Sequence, residues 1–300
     1  MKKIKVFCLA DSPLAPSGVG TQTRYMIEGL LQTGRFQFVC FGGAIRHPDY
    51  KPIRTEEYGD DWLIYPVDGY GTQEQVRALL KAQKPDIVWI MTDPRFWGWL
   101  WEIDNEIRSV APLVYYHVWD NLPYPTFNRK WYLSNDVVAS ISKVTDDIVR
   151  NVAPEVDLVR IPHAVNDNVF IRIEDEKLIE NFKKENSIGV DNNGNKRFTF
   201  FWNNRNARRK QSGSLMFWFN DFLDKVGRDK ATLIMHTEPK DPNGQDLIAI
   251  KDRLKLDDDQ FKLSMSKLSM EQLSVLYNAC DCTINISDAE GFGLATLESL

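Results

Sequence analysis

Residue types that could bind a charged ligand lie near the end of the chain, in the stretch Asp288-Ala-Glu-Gly-Phe-Gly-Leu-Ala-Thr-Leu-Glu298. The apolar run 281–287 before it predicts a buried parallel strand, and the run 294–300 predicts the start of a helix. Where a strand, a glycine turn and a helix start follow one another, backbone N–H groups and the helix dipole can meet an anion. The stretch therefore predicts an anion-compatible turn.

The residues of this turn indicate which groups of a ligand it could bind. Gly291 and Gly293 can adopt positive φ and allow a ligand to approach the backbone closely. Glu290 and Glu298 flank the turn, and an ionised carboxylate only accepts hydrogen bonds, so it suits sugar and ribose hydroxyls rather than phosphate. The residues predict a sugar-nucleotide site. The alternative is an ordinary glycine turn with two surface glutamates.

A second candidate site is the basic segment Asn203-Asn-Arg-Asn-Ala-Arg-Arg-Lys-Gln211, which follows a predicted strand over 197–202. Four of its six residues from Arg205 to Lys210 are cations, in a chain whose net charge is −5. Arginine offers a fork for phosphate oxygens and lysine a point charge. The alternative is a solvated basic turn.

The carboxylate spacing resembles the E-x7-E signature of retaining glycosyltransferases with the GT-B fold, especially family 4. That resemblance implies that Glu290, as a catalytic residue, and the following amides hold the donor sugar, whereas Glu298 holds the nucleotide ribose. The amides in question belong to Gly291, Phe292, Gly293 and Leu294.

The basic segment matches a second motif of that family, in which an arginine and a lysine five residues apart hold the donor diphosphate. Arg205 and Lys210 have this spacing, and Asn204 stands where a glycine is usual. The match implies that Arg205 and Lys210 bind the diphosphate, with Arg208 and Arg209 peripheral.

The N-terminal half begins with a predicted strand over 4–10, a loop over 11–20 and a helix over 21–31. The loop lacks the G-x-G-x-x-G spacing of dinucleotide-binding proteins, and by itself it predicts a plain strand-to-helix connection. In the resembling family this first loop carries a glycine-rich turn over the donor diphosphate. Gly18 and Gly20 are the matching residues.

A histidine is predicted at the end of another strand, in Leu113-Val-Tyr-Tyr-His117. Open α/β sheets bind ligands at the carboxyl ends of their strands. A lone histidine is more often structural, but the resemblance implies that His117 contacts the transferred sugar as a catalytic residue. Asp120 is a further candidate on the acceptor side, and the aromatic run 119–131 predicts a long functional loop.

Alternating strands and helices predict an α/β chain with two Rossmann-like domains, which the resemblance places on either side of a cleft. We expect an acceptor-side domain over 1–165, a connecting segment with a charged helix over 166–196, and a donor-binding domain over 197–300. The stretch 161–170 resembles the family's interdomain hinge, with His163-Ala164 where Asn-Gly is usual. The chain stops two residues after Glu298, so we expect the second domain to be incomplete.

Composition limits the remaining possibilities. Three hundred residues suit two domains, and an apolar content of 43% is ample for packed cores. The net charge of −5 gives no footprint for non-specific nucleic-acid binding. No apolar run reaches membrane-spanning length, and four cysteines without framework spacing indicate a reducing compartment. A cytoplasmic protein is expected.

The combined prediction is a hexosyltransferase that moves a sugar from a UDP- or GDP-sugar to an acceptor hydroxyl with retention of configuration. No carboxylate cluster accompanies the phosphate site, so no metal and no cofactor are expected. The acceptor class stays open among lipids, glycans, small metabolites and modified nucleic-acid bases. Alternatives are an epimerase or phosphorylase on the same scaffold, or a non-catalytic protein that binds nucleotide sugars.

Overall fold

The strands form two separate sheets, one in each half of the chain. The computed structural model describes residues 2–300. Contacts between Cα atoms divide it into unit 1, Met1–Ala164, and unit 2, Val165–Leu300. The unit boundary lies within the stretch 161–170 that resembles an interdomain hinge.

Unit 1 contains eight strands and six α-helices within its described residues. The strands are β1 Ile4–Ala10, β2 Phe36–Gly42, β3 Ile53–Thr55, β4 Gly59–Pro66, β5 Ile87–Thr92, β6 Leu113–His117, β7 Val137–Ser140 and β8 Leu158–Arg160. The helices are α1 Gly18–Gln32, α2 Gln73–Gln83, α3 Pro94–Trp101, α4 Asp104–Arg108, α5 Arg129–Leu133 and α6 Lys143–Val152.

The sheet of unit 1 has the order β3-β4-β2-β1-β5-β6-β7-β8. Every neighbouring pair is parallel except β3 with β4. The central strands read as near-continuous apolar runs because helices cover both faces of a parallel sheet. Since parallel strands end at one edge, the loops after β1, β4, β5 and β6 gather there.

Unit 2 has a smaller parallel sheet. Its strands are β9 Phe198–Asn203, β10 Ala231–His236, β11 Phe261–Ser264 and β12 Cys282–Thr283, in the order β11-β10-β9-β12. Its helices are α7 Glu176–Glu185, α8 Ser212–Val226, α9 Leu247–Leu254, α10 Met270–Ala279 and α11 Leu294–Glu298. Because β9 and β12 are neighbours, the loops that follow them lie side by side.

Helix starts in both units follow local capping chemistry. Thr72, Ser142 and Ser269 each cap a helix in a reciprocal capping box with the residue three positions on. In unit 1, α3 is capped by the Asp93 side chain, which accepts a hydrogen bond from Arg95 N–H. Nothing in residues 2–300 forms a helix that is both long and apolar enough to cross a membrane.

The expected connecting segment packs on unit 2. Ser274 donates a hydrogen bond to the carbonyl of Val169 at 2.6 Å, and Ile173 N–H donates to the Asn278 side chain at 2.9 Å. Phe182 of α7 packs against a buried cluster that includes Tyr277. Residues 165–196 therefore share contacts with the helix that precedes β12.

The run 281–287 was predicted to be a buried strand, and this prediction was wrong in length. Only Cys282–Thr283 forms strand β12, and Cys282 is exposed. Within the described residues β12 pairs with β9 alone, so it is an edge strand. A strand with one neighbour has half the backbone hydrogen bonds of a central strand, and pairing ends after Ile284 N–H donates to the Phe201 carbonyl.

Candidate functional site

Two loops meet at the carboxyl edge of the sheet in unit 2. The basic loop (residues 203–211) follows β9, and the glutamate loop (residues 285–298, including α11) follows β12. Asp288 N–H donates to the carbonyl of Arg209 at 2.8 Å. The Arg209 guanidinium donates to the carbonyl of Ala289 at 2.7 Å. Backbone and side-chain bonds thus hold the two loops together.

The central contact is an ion pair between Lys210 and Glu290. The Lys210 side chain is 9% exposed and the Glu290 side chain 25% exposed. The same Glu290 oxygen accepts a hydrogen bond from the Ser287 hydroxyl at 2.9 Å. An ammonium and a carboxylate with little exposure are therefore paired within the predicted donor site, 80 residues apart in sequence.

Glu298 lies at the end of a short chain of hydrogen bonds. The Asn203 amide donates to the hydroxyl of Tyr277 at 2.8 Å, and that hydroxyl donates to the Glu298 carboxylate at 3.0 Å. Burial raises the pKa of Glu298, and the hydrogen bond from Tyr277 offsets only part of that rise. Burial likewise raises the pKa of Tyr277, so the phenol stays protonated and donates. Sequence reasoning assigned no role to Asn203 or Tyr277.

Two arginines of the basic loop, Arg205 and Arg209, bond different partners. Arg205 is bonded to Asp241 through two nitrogens, at 2.6 and 3.2 Å. Arg209, expected to be peripheral to the diphosphate, donates from its guanidinium to the Ala289 carbonyl of the glutamate loop. Which arginine reaches another loop depends on side-chain direction, which the spacing of Arg205 and Lys210 does not encode.

Asn206 holds the basic loop in shape, and no sequence signal singled it out. It is fully buried, and its amide donates to the carbonyls of Glu238, Pro239 and Gln245. Its carbonyl accepts from the Ser212 hydroxyl at 2.7 Å. A Cβ on Gly244 would lie 1.9 Å from the backbone carbonyl oxygen of Asn206 and 2.5 Å from its side-chain oxygen, so this close approach requires glycine.

The glycine turn has one residue with left-handed backbone. Gly293 has φ +82° and directly precedes α11. Within residues 2–300, the glycines with positive φ do not include Gly291. Phe292 and Leu294 are half-buried in the same turn. The backbone conformation of the turn therefore requires glycine at position 293.

In unit 1, Gly18 and Gly20 belong to the first turn of α1, not to the loop that the sequence predicted. Ser17 caps this helix and accepts a hydrogen bond from Gly20 N–H at 3.0 Å. A Cβ on Gly20 would lie 2.5 Å from the carbonyl oxygen of Ala15. The glycine thus allows the preceding loop to fold back on the helix start.

His117 is the last residue of β6 and is fully buried. Its Nε2 lies 2.8 Å from the Tyr132 hydroxyl. Its Nδ1 has no hydrogen-bond partner among the described residues. Burial lowers the pKa of His117 to about 3, so the imidazole is neutral at physiological pH.

Asp120 lies near Arg95, whose guanidinium also bonds Asp93 and stacks on the Trp119 ring at 5.1 Å. The expected long loop over 119–131 is shorter in the structure. A short 3₁₀ turn covers Thr126–Asn128, and α5 begins at Arg129.

Comparison with known proteins was made at the level of sequence and of structure. No family model matches the sequence, and no curated protein matches it. Solved structures match over nearly the whole chain. A glycosyltransferase from Rickettsia africae ESF-5 has a TM-score of 0.70 at 17% identity, covering 100% of this chain and 77% of that one.

Two further matches are structures with bound ligands. The structure of trehalose-6-phosphate from E. coli bound with UDP-2-fluoro glucose has a TM-score of 0.69 at 12% identity, covering 98% of this chain and 81% of that one. The catalytic domain of starch synthase IV from Arabidopsis thaliana, bound to ADP and acarbose, has a TM-score of 0.66 at 10% identity, covering 99% and 80%.

The chain has the GT-B fold. This confirms the predicted fold class. The α/β structure, with its two sheets, matches GT-B glycosyltransferases over about 80% of the length of those proteins. At these identities the likeness concerns the fold alone. The GT-B match does not distinguish family 4 from the other families represented.

The pH dependence of stability tests the buried state of His117 in this GT-B protein. Between the unfolded pKa of 6.5 and the folded value of about 3, the unfolded chain binds a proton that the folded imidazole does not. The unfolding free energy should therefore fall as pH decreases, by about 1.4 kcal/mol per pH unit from this group.

His117→Gln should remove that contribution from the slope between pH 6.5 and 5. Urea unfolding at several pH values measures it. His163, with a pKa lowered to about 4 by burial, contributes in the same range, so His163→Gln serves as the comparison and the double variant should lose both contributions. An unchanged slope in His117→Gln would show that the imidazole is solvated.

Proposed function

We propose that the chain is a retaining glycosyltransferase of the family 4 type, which transfers a hexosyl group from a UDP- or GDP-sugar to an acceptor hydroxyl without a metal ion. The observation that carries the proposal is the contact between Lys210 and Glu290. It places a cation suited to phosphate beside a carboxylate suited to sugar hydroxyls. The GT-B fold supports the same reading.

In this proposal the basic loop stabilises the departing diphosphate. Negative charge develops on the leaving oxygen, and a fixed ammonium in a site with little water stabilises it strongly. Lys210 supplies that charge. Arg205 is our second candidate for the diphosphate, although it would have to leave Asp241 to reach it, and Arg209 already lies at the glutamate loop.

The glutamate loop binds the rest of the donor in this proposal. Glu290 accepts hydrogen bonds from the sugar hydroxyls, and the amides of residues 291–294 lie along the sugar and phosphate. Glu298 accepts from the ribose hydroxyls. Because Tyr277 bonds one oxygen of Glu298, the carboxylate is oriented before the nucleotide arrives.

In this proposal the acceptor-side domain covers residues 1–165, the connecting segment 166–196 and the donor-binding domain 197–300. We assign Gly18 and Gly20, in the first turn of α1, to the donor diphosphate, and Asp120 to the acceptor. We assign His117, a buried neutral imidazole whose Nδ1 has no hydrogen-bond partner among the described residues, to the transferred sugar.

The test is a binding and turnover panel with UDP, GDP, ADP and their glucose and mannose derivatives, with and without EDTA. At a concentration one hundred times its dissociation constant, a ligand stabilises the folded state by about 2.7 kcal/mol, which a thermal-shift assay detects. We expect one nucleotide to stabilise the protein, EDTA to have no effect, and the matching sugar nucleotide to be hydrolysed slowly without acceptor.

Arg205→Ala and Arg209→Ala, measured in the same panel, identify the arginine that contacts the diphosphate. Binding without hydrolysis or transfer would indicate that the chain is a non-catalytic nucleotide-sugar-binding protein. An absence of binding by every nucleotide would contradict the proposal itself.

Tyr277→Phe is expected to weaken the binding of UDP about tenfold, because Glu298 loses the hydroxyl that orients its carboxylate. The binding of 2′,3′-dideoxy-UDP should not change, since it presents no ribose hydroxyl to Glu298. Calorimetric titration of both nucleotides measures the difference. Tyr116→Phe, which removes another largely buried hydroxyl bonded to the Ile161 carbonyl, is the matched control. Equal losses for both nucleotides would indicate a purely structural role for Tyr277.

A further inference from the structure

Aromatic side chains gather at the carboxyl edge of the sheet in unit 1. Tyr70 and Phe96 stack with ring centroids 5.4 Å apart, and Trp119 and Phe127 make an edge contact at 5.6 Å. Arg95 links the two pairs, since it precedes Phe96 and lies over the Trp119 ring. Phe96 is 52% exposed and Phe127 60% exposed. Apolar ring surface is therefore open to solvent beside the loops of β4, β5 and β6.

Three carboxylates lie among these rings. Asp11 follows β1, accepts a hydrogen bond from the Ser17 hydroxyl at 2.6 Å, and also bonds the Tyr70 hydroxyl. Asp93 follows β5 and holds Arg95 through both of its oxygens at 3.0 Å. Asp120 follows β6, and its charge adds to the larger effect of Asp93 in raising the pKa of the Arg95 guanidinium.

The net charge of these four ionisable groups bears on the charge of a ligand that could bind among the rings. One guanidinium against three carboxylates leaves two negative charges when all four groups are ionised, and the guanidinium already has a carboxylate partner. A phosphorylated acceptor would meet repulsion and find no unpaired cation in the group. Carboxylates instead accept hydrogen bonds from hydroxyls, and aromatic faces pack against the C–H faces of sugar rings.

We propose that the acceptor is an uncharged saccharide, bound at the edge formed by Asp11, Tyr70, Asp93, Arg95, Phe96, Trp119, Asp120 and Phe127, and that sugar phosphates and other polyanions are rejected there. The inference rests on the proposed function, because it names the acceptor class for that reaction. Phe96 determines affinity through stacking, and Asp120 determines selectivity through charge.

Binding measured without any donor tests the inference separately from the donor site. Saturation-transfer NMR and titration of tryptophan fluorescence compare methyl α-glucoside and maltose with glucose 6-phosphate. We expect the two uncharged saccharides to bind and glucose 6-phosphate to bind at least tenfold more weakly. Phe96→Ala should weaken saccharide binding about tenfold. Phe217→Ala, which removes an exposed ring of similar exposure (47%) from α8, should not.

Asp120→Asn should narrow the preference against glucose 6-phosphate while methyl α-glucoside still binds. Tighter binding of glucose 6-phosphate than of the uncharged saccharides overturns the inference. So does the absence of saccharide binding, or saccharide binding that Phe96→Ala leaves unchanged. Nucleotide binding without saccharide binding rejects the acceptor assignment alone, whereas saccharide binding without nucleotide binding rejects the proposed transferase alone.

Discussion

Replacing Lys210 with methionine is expected to lower sugar transfer by about two orders of magnitude, because the loss of one fixed group that stabilises developing negative charge typically has this effect. Methionine keeps most of the apolar stem of the lysine, so the change removes mainly the ammonium. Turnover of the sugar nucleotide and calorimetric titration with the nucleoside diphosphate measure the effect. We expect both to fall, turnover more than affinity, since the charge is largest as the diphosphate leaves.

Lys210→Met also leaves Glu290 without its cation in a site where both side chains are mostly buried. Removal of one partner of such a pair destabilises the fold. The double variant Lys210→Met with Glu290→Gln restores neutrality, so its melting temperature should recover while its activity stays low. Lys251→Met, which breaks the Lys251–Asp258 pair elsewhere in unit 2, is the control. Normal turnover in folded Lys210→Met would contradict the assigned role.

Replacing Glu290 with glutamine is expected to separate nucleotide binding from transfer. In the unliganded protein the carboxylate holds the Lys210 ammonium, so an incoming diphosphate must compete with it. Glutamine is neutral and holds an ammonium less strongly than a carboxylate does. UDP or GDP, whichever binds, should therefore bind several-fold more tightly to the variant. Transfer should fall at least a hundredfold, because the sugar hydroxyls lose their charged acceptor.

The two effects of Glu290→Gln have opposite signs, which a general loss of structure cannot produce. Affinity is measured by calorimetry for the nucleoside diphosphate alone, and turnover by release of the diphosphate from the sugar nucleotide. Glu185→Gln, an exposed glutamate at the end of α7, should change neither. Weaker binding of the diphosphate would mean that Glu290 does not compete for Lys210.

The local features of this chain were determined by the sequence itself. Strand β1 over Ile4–Ala10 and strand β6 over Leu113–His117 appear where the sequence predicted them. Apolar periodicity and caps act between residues a few positions apart, so a linear pattern contains the information. The same is true of the alternation of strands and helices that predicted the α/β fold. The glutamate loop was found in the same way, from its glycines and carboxylates.

Only the tertiary structure decided which side chains meet across the loops. The order β9-β12 places Lys210 beside Glu290. Arg205 pairs with Asp241, whereas Arg209 bonds the glutamate loop, and the spacing of the basic residues indicated neither contact.

The same limit applies to groups whose role depends on burial. Neither Asn206 nor the chain from Asn203 through Tyr277 to Glu298 has a local signal in the sequence. A hydrogen bond between residues tens of positions apart depends on strand order, rotamer and burial together. These are fixed only when the sheet and its helices have packed, and for that reason residue types and spacing located the site without specifying its contacts.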